Sequence, residues 1–138
     1  MKRWIIFIVF GLLIISCEVA PEKIEYGIDA CSFCDMTIVD KTHAAEFVTE
    51  KGRIYKFDAI ECLINDLSKK NENNLAFILV TDYLNPTEFL NVTEAIFLIS
   101  EEIKSPMGAN LSAFSKNSNL SYQGEMFNWK GIKERIRK

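Results

Sequence analysis

The stretch Ala44-Ala45-Glu46-Phe47-Val48-Thr49-Glu50-Lys51-Gly52-Arg53-Ile54-Tyr55-Lys56-Phe57-Asp58-Ala59-Ile60-Glu61-Cys62-Leu63-Ile64-Asn65-Asp66-Leu67 changes its hydrophobic period half-way. Ala44 to Thr49 and Arg53 to Phe57 are β-favouring and flank Glu50-Lys51-Gly52, which reads as a hairpin turn. Beyond Phe57, the apolar residues Ile60, Leu63, Ile64 and Leu67 fall on one helical face. Asp58 can accept from the first free backbone amides, and Glu61 stands three residues on, as in a capping box. A hairpin that runs into an amphipathic helix points to an α+β layer, with the helix laid on the sheet. Cys62 falls roughly opposite the apolar stripe at about 100° per residue, so it is not one more core residue of that face.

Outward from this stretch, the helix ends in the polar run Lys69 to Asn74. Leu75 to Thr81 reads as a strand, Asn85-Pro86 as a turn, and Ala95 to Ile99 as another strand. The last third echoes the first. Gly52 and Gly124, Tyr55 and Phe127, Phe57 and Trp129, and Ile60 and Ile132 share one offset of 72, and Met36 pairs with Met107 at 71. Four positions in one register point to an internal duplication. The expected fold is α+β: two similar small units, residues 28–84 and 85–138, with mixed or antiparallel sheets and helices on one face.

The N terminus reads as a targeting segment. Met1-Lys2-Arg3 is basic, and Trp4 to Ile15 is an apolar run too short for a comfortable membrane span. It ends in Ile14-Ile15-Ser16-Cys17, which resembles a lipobox, with residues 1–16 as signal and Cys17 as the lipidated first mature residue. An ordinary signal peptide, or an uncleaved anchor with an incidental cysteine, is the alternative. Residues 17–27 then form a polar tether, with order beginning near Ile28. Of 16 basic residues the leader takes Lys2 and Arg3, leaving 14 against 19 acidic ones, a net of −5. That balance argues against nucleic acid as a partner.

Of the four cysteines, lipid on Cys17 leaves Cys31, Cys34 and Cys62. Three is an odd number for an exported chain, so at least one thiol is free, metal-bound or paired with another molecule. The densest chemistry is Cys31-Ser32-Phe33-Cys34-Asp35-Met36. Thiolate and thioether are soft donors that together prefer Cu(I). In an extended stretch, Cys34 and Met36 would share a face and converge on one ion. A lone methionine is more often a core filler. His43 is the sole histidine and is a candidate ligand, although a lone histidine is usually structural. Cys62 stands in the first turn of its helix, where backbone amides favour a thiolate; its alternative is a buried inert thiol. Ser105-Pro106-Met107-Gly108 reads as a loop presenting Met107, or as a turn with a packed methionine.

These strings resemble the NosL family. The resemblance is carried by Cys34-Asp35-Met36-Thr37-Ile38, Ala44-Ala45-Glu46, Lys51-Gly52, Phe57-Asp58-Ala59-Ile60-Glu61-Cys62, Pro106-Met107-Gly108, Ala113-Phe114 and Gly124-Glu125 with Trp129. It runs from about Tyr26 to about Ile132. It implies a duplicated β-β-α-β arrangement, and a lipoprotein that carries Cu(I) and delivers it to nitrous oxide reductase, with an ABC-type maturation complex as the other partner. The family's ligands fall on Cys34, Met36 and Met107. The family histidine falls nearer Lys41 than His43, and Cys31 and Cys62 are features of only some members. The residues leave two rivals standing. One is a thiol–disulfide exchanger using Cys31 and Cys34, although β-favouring Thr37-Ile38-Val39 follows where a helix should. The other is a structural zinc site of Cys31, Cys34, Cys62 and His43. No nucleophile, base and acid are grouped as a hydrolase would need.

Overall fold

The computed structural model describes residues 18–138. The expected leader, residues 1–16, and the expected lipidation site Cys17 lie outside them. The elements in order are β1 (Ala45–Thr49), β2 (Ile54–Phe57), α1 (Ile60–Leu67), a short 3-10 turn (Glu72–Asn74), β3 (Leu75–Thr81), β4 (Phe89–Asn91), β5 (Ala95–Ile99), β6 (Leu111–Ser115), β7 (Glu125–Phe127) and α2 (Trp129–Ile136). They form two antiparallel sheets, ordered β2-β1-β3-β4 and β6-β5-β7. The class is α+β, as expected.

The hairpin forms where the sequence places it, with Ala45 opposite Phe57 and Val48 opposite Ile54. Gly52 closes its turn at φ +77°, a conformation that only glycine adopts without steric cost. Helix α1 buries Ile60, Leu63, Ile64 and Leu67 as its period requires, and buries Cys62 and Glu61 as well. It is enclosed on more than one face, which is why Cys62 can be both off the stripe and inaccessible. Each fully buried Leu or Ile contributes about 1.5–3 kcal/mol. One contiguous core runs from Ile24 to Ile132 and draws on both sheets and both helices. Its described members all lie within residues 18–138.

Four expectations need correction. Asp58 does not cap α1. The cap position is Ala59, without a side-chain hydrogen bond. Asp58 sits one residue too early and is turned toward the Val39 amide and the Cys31 loop. Order begins before Ile28, because Ile24 is buried and the Glu22 N–H donates to Glu46 Oε1 at 3.0 Å. The chain leaves the first sheet only after Asn91, because β4 pairs with β3, so the first unit does not end at residue 84.

The 72-residue register also slips. It matches Phe57, the last residue of β2, with Trp129, the first of α2. It matches Gly52, needed for a positive φ, with Gly124, where a Cβ would collide with the Ile99 carbonyl. Both halves contain a strand that runs into an eight-residue helix. Their connectivity differs: β2 pairs with the strand just before it, whereas β7 pairs with β5 and skips β6.

Candidate metal centre

The sulfur atoms of Cys31, Cys34 and Cys62 lie within 4.8 Å of one another, and none is in a disulfide. Two elements bring them together. Residues Ala30 and Thr37 form an antiparallel bridge that pinches off a loop. Inside it, the Cys31 N–H donates to the Met36 carbonyl at 2.8 Å and the Asp35 N–H to the Cys31 carbonyl at 3.0 Å. Asp35 takes φ +61°, a left-handed conformation to which aspartate is better suited than most residues. The Ser32 N–H donates to the Lys56 carbonyl at 2.8 Å and fixes the loop at the end of β2, where α1 begins. Cys62, the third residue of α1, then faces the loop from below.

Burial grades the three sulfurs. Cys31 is 1% exposed and Cys62 is fully buried, while Cys34 is half-buried. Three thiolates about 2.3 Å from one ion stand about 3.7–4.0 Å apart. A cluster within 4.8 Å therefore needs only small side-chain shifts to close on a metal.

The three thiols share their charge unequally. The Cys62 thiol donates to the Cys31 sulfur, and the backbone amides of Asp58, Cys34 and Phe33 also point at it. Together these lower Cys31 to about 5 despite its burial. Cys62 is pushed up because its proton is held by Cys31, and burial adds to the effect. Cys34 is raised by burial and by the neighbouring Cys31 thiolate. Negative charge in the cluster is thus drawn toward Cys31. The helix start that favours a thiolate at Cys62 is outweighed by the sulfur to which Cys62 donates.

The other expected ligands are placed differently. Met36 is not on a strand with Cys34. The left-handed Asp35 between them breaks the alternation, the Met36 N–H points at the Cys34 sulfur, and the Met36 side chain is 52% exposed. His43 lies outside the cluster. Its Nε2 is 3.0 Å from Ser112 Oγ, and its Nδ1 is 2.9 Å from Thr42 Oγ1 and 3.1 Å from Asp40 Oδ2. Both ring nitrogens are engaged, so Cys31, Cys34, Cys62 and His43 do not assemble as a zinc site.

Met107, 42% exposed, tops a turn closed by the Gly108 N–H to the Ser105 carbonyl at 3.1 Å. Both feet of that turn rest on Glu61: Ser105 Oγ donates to Glu61 Oε1 at 2.5 Å and the Ala109 N–H at 3.3 Å. Sequence reading missed this role of Glu61, having assigned its carboxylate to a capping box. The available signal was a lone acidic residue among Ile60, Cys62, Leu63 and Ile64. Glu61 sets the Met107 turn against the first turn of α1, next to a cluster sulfur.

Fold and site together define a small two-sheet α+β module with a three-thiol cluster able to hold a soft metal ion. The family model described as NosL matches residues 24–134, and the chain belongs to the NosL family. Among solved structures, the copper chaperone NosL from Shewanella denitrificans is similar, with a TM-score of 0.68 at 18% identity over 82% of this chain and 95% of that one. At that identity the likeness is one of fold. No curated protein matches the sequence.

Proposed function

We propose that this protein is a Cu(I) carrier of the bacterial envelope that delivers copper for the maturation of nitrous oxide reductase. Lipid on Cys17 holds it to a membrane on the periplasmic side, and an ABC-type maturation complex is its working partner. The observation that carries the reading is the cluster of Cys31, Cys34 and Cys62 in a NosL-family chain. The similar protein from Shewanella denitrificans is a copper chaperone, which agrees with it. Among the described residues no helix is long and apolar enough to cross a membrane.

Cu(I) is soft and accepts low coordination numbers, which suits a thiolate cluster closed on two sides by protein. Binding displaces the protons held by Cys34 and Cys62, so affinity rises with pH. Release begins at Cys34, the one cluster sulfur that an incoming ligand reaches without unfolding the site. The thioethers of Met36 and Met107 are exposed and offer soft donors along the way out.

The test is anaerobic titration of reduced residues 18–138 with Cu(I) against a competing chelator, with Zn(II) in parallel. The expected result is one-to-one Cu(I) binding that weakens at least about tenfold in each of Cys31→Ser, Cys34→Ser and Cys62→Ser. Tight zinc binding with weak Cu(I) binding, or Cu(I) binding indifferent to all three variants, would overturn the proposal.

A further inference from the structure

The charge of the chain is sharply divided. Segments 50–53, 66–72 and 129–138 hold nine basic and four acidic residues, a net of +5. The remaining residues from Glu18 onward hold five basic and fifteen acidic ones, a net of −10. The three basic segments are neighbours in the fold. The Glu50 N–H donates to the Asn74 carbonyl at 3.0 Å, and the Lys70 ammonium lies 5.5 Å from the Tyr55 ring. Trp129 Nε1 and Lys133 Nζ donate to Glu72, at 3.3 and 2.6 Å. Lys51, Arg53 and Lys70 frame an open cleft of about 550 Å³ with Tyr55 and Asn71 in its wall. Lys51, Arg53 and Lys69 are exposed and make no ion pair among the described residues.

The metal cluster lies at the other end of the β1–β2 hairpin. Its loop is tied to Lys56, at the far end of β2 from the Gly52 turn. Asp35 lies in that loop, Asp58 and Glu61 flank it at the start of α1, and Asp29 beside it is paired with Lys56. Val19 packs beside the Gly52 turn, its Cγ2 4.0 Å from where a Cβ on Gly52 would lie. The polypeptide therefore enters the fold next to the basic face and away from the cluster.

We propose that the basic face seats on anionic lipid headgroups and so orients the protein with its metal cluster turned away from the membrane. The division of charge and the position of Val19 carry this. Only the identity of the surface rests on the lipid-anchored reading above. A single acyl modification or a weak charge patch holds poorly alone, but the two act together. Each lysine or arginine near an anionic surface strengthens binding about fivefold, and the effect is lost at high salt. The acidic remainder of the molecule repels the same surface, which makes the orientation one-sided.

The test uses residues 18–138, which lack the acyl chains, so its outcome is independent of lipidation and of copper. Sedimentation is measured with vesicles of phosphatidylcholine plus phosphatidylglycerol, and with phosphatidylcholine alone, at low and high salt. Binding is expected only to the mixed vesicles at low salt. It should fall on the order of a hundredfold in Lys51→Gln/Arg53→Gln/Lys69→Gln, with the circular dichroism unchanged. The control Asp35→Asn/Glu94→Gln/Glu125→Gln should bind at least as well as the wild type. Equal binding to both vesicle types, no binding to the mixed vesicles at low salt, or a triple variant that binds like the wild type would overturn it.

Discussion

Replacing Glu46 by glutamine is expected to stabilise the protein above neutral pH and leave it unchanged in acid. Glu46 projects from β1 directly opposite Lys56 of β2, a placement that ordinarily makes an ion pair. Lys56 is committed elsewhere, at 2.8 Å to Asp29 and 3.2 Å to Glu22. Glu46 is fully buried beneath the residues around Glu22, and its Oε2 has no hydrogen-bond partner. Burial pushes its carboxyl up to about 7 from an ordinary 4.5, although the Glu22 N–H and the Lys56 charge pull the other way. At about 1.4 kcal/mol per pH unit, the difference is worth roughly 3 kcal/mol. Because the folded value lies above the unfolded one, both states hold the proton below about pH 4.5 and no cost appears there. The cost grows through the window from 4.5 to 7 and is complete above it. Glutamine keeps an acceptor for the Glu22 amide and removes the charge. Urea unfolding of wild type and Glu46→Gln from pH 4 to 8 measures the effect. The two curves should meet near pH 4 and separate by roughly 3 kcal/mol at pH 8, a shift on the order of 10 °C in Tm. Parallel curves would refute the assignment of the buried charge to Glu46.

Three further expectations follow from the site. Thiolate absorbance of the metal-free chain should show a first step with a midpoint near the value of about 5 at Cys31, well separated from the other two thiols. Cys62→Ala removes a donor to a charged sulfur, worth about 1.5–3 kcal/mol, and should raise that midpoint by about one to two pH units; an unchanged midpoint would contradict the shared-proton arrangement. His43→Ala should destabilise by about 1–3 kcal/mol, because it strips partners from Ser112 and Thr42, yet leave Cu(I) affinity unmoved; a parallel loss of affinity would return the histidine to the ligand set. Glu61→Ala should cost a similar amount by releasing Ser105 and Ala109, and proteolysis should then cut near Met107; a Ser105–Ala109 segment as resistant as in the wild type would show that Glu61 does not hold it.

Much of the fold was legible because period and turn chemistry are local. The hairpin, α1, β3 and β5 all lie where alternation, Gly52 and the apolar stripe put them. Strand partnership was not legible. Nothing in Glu125 to Phe127 says that β7 will cross over to β5 instead of pairing with β6, and the apparent repeat obscured this by aligning two glycines used for different reasons. At the site, cysteine counting singled out Cys31, Cys34 and Cys62, and the structure brings those three together. The convergence of Cys34 with Met36 rested on an extended backbone that the left-handed Asp35 denies. The fate of His43 depended on Ser112, 69 residues away in the chain, and no spacing rule reaches that far.

A site in which Cys31, Cys34 and Cys62 together hold copper is distinguished from any other by X-ray absorption at the copper edge of the Cu(I)-loaded chain, beside the same measurement on Cys62→Ser. Copper ligated by sulfur without nitrogen is expected, with one sulfur fewer in the variant. A nitrogen ligand, or a ligand set that ignores the loss of Cys62, would contradict it.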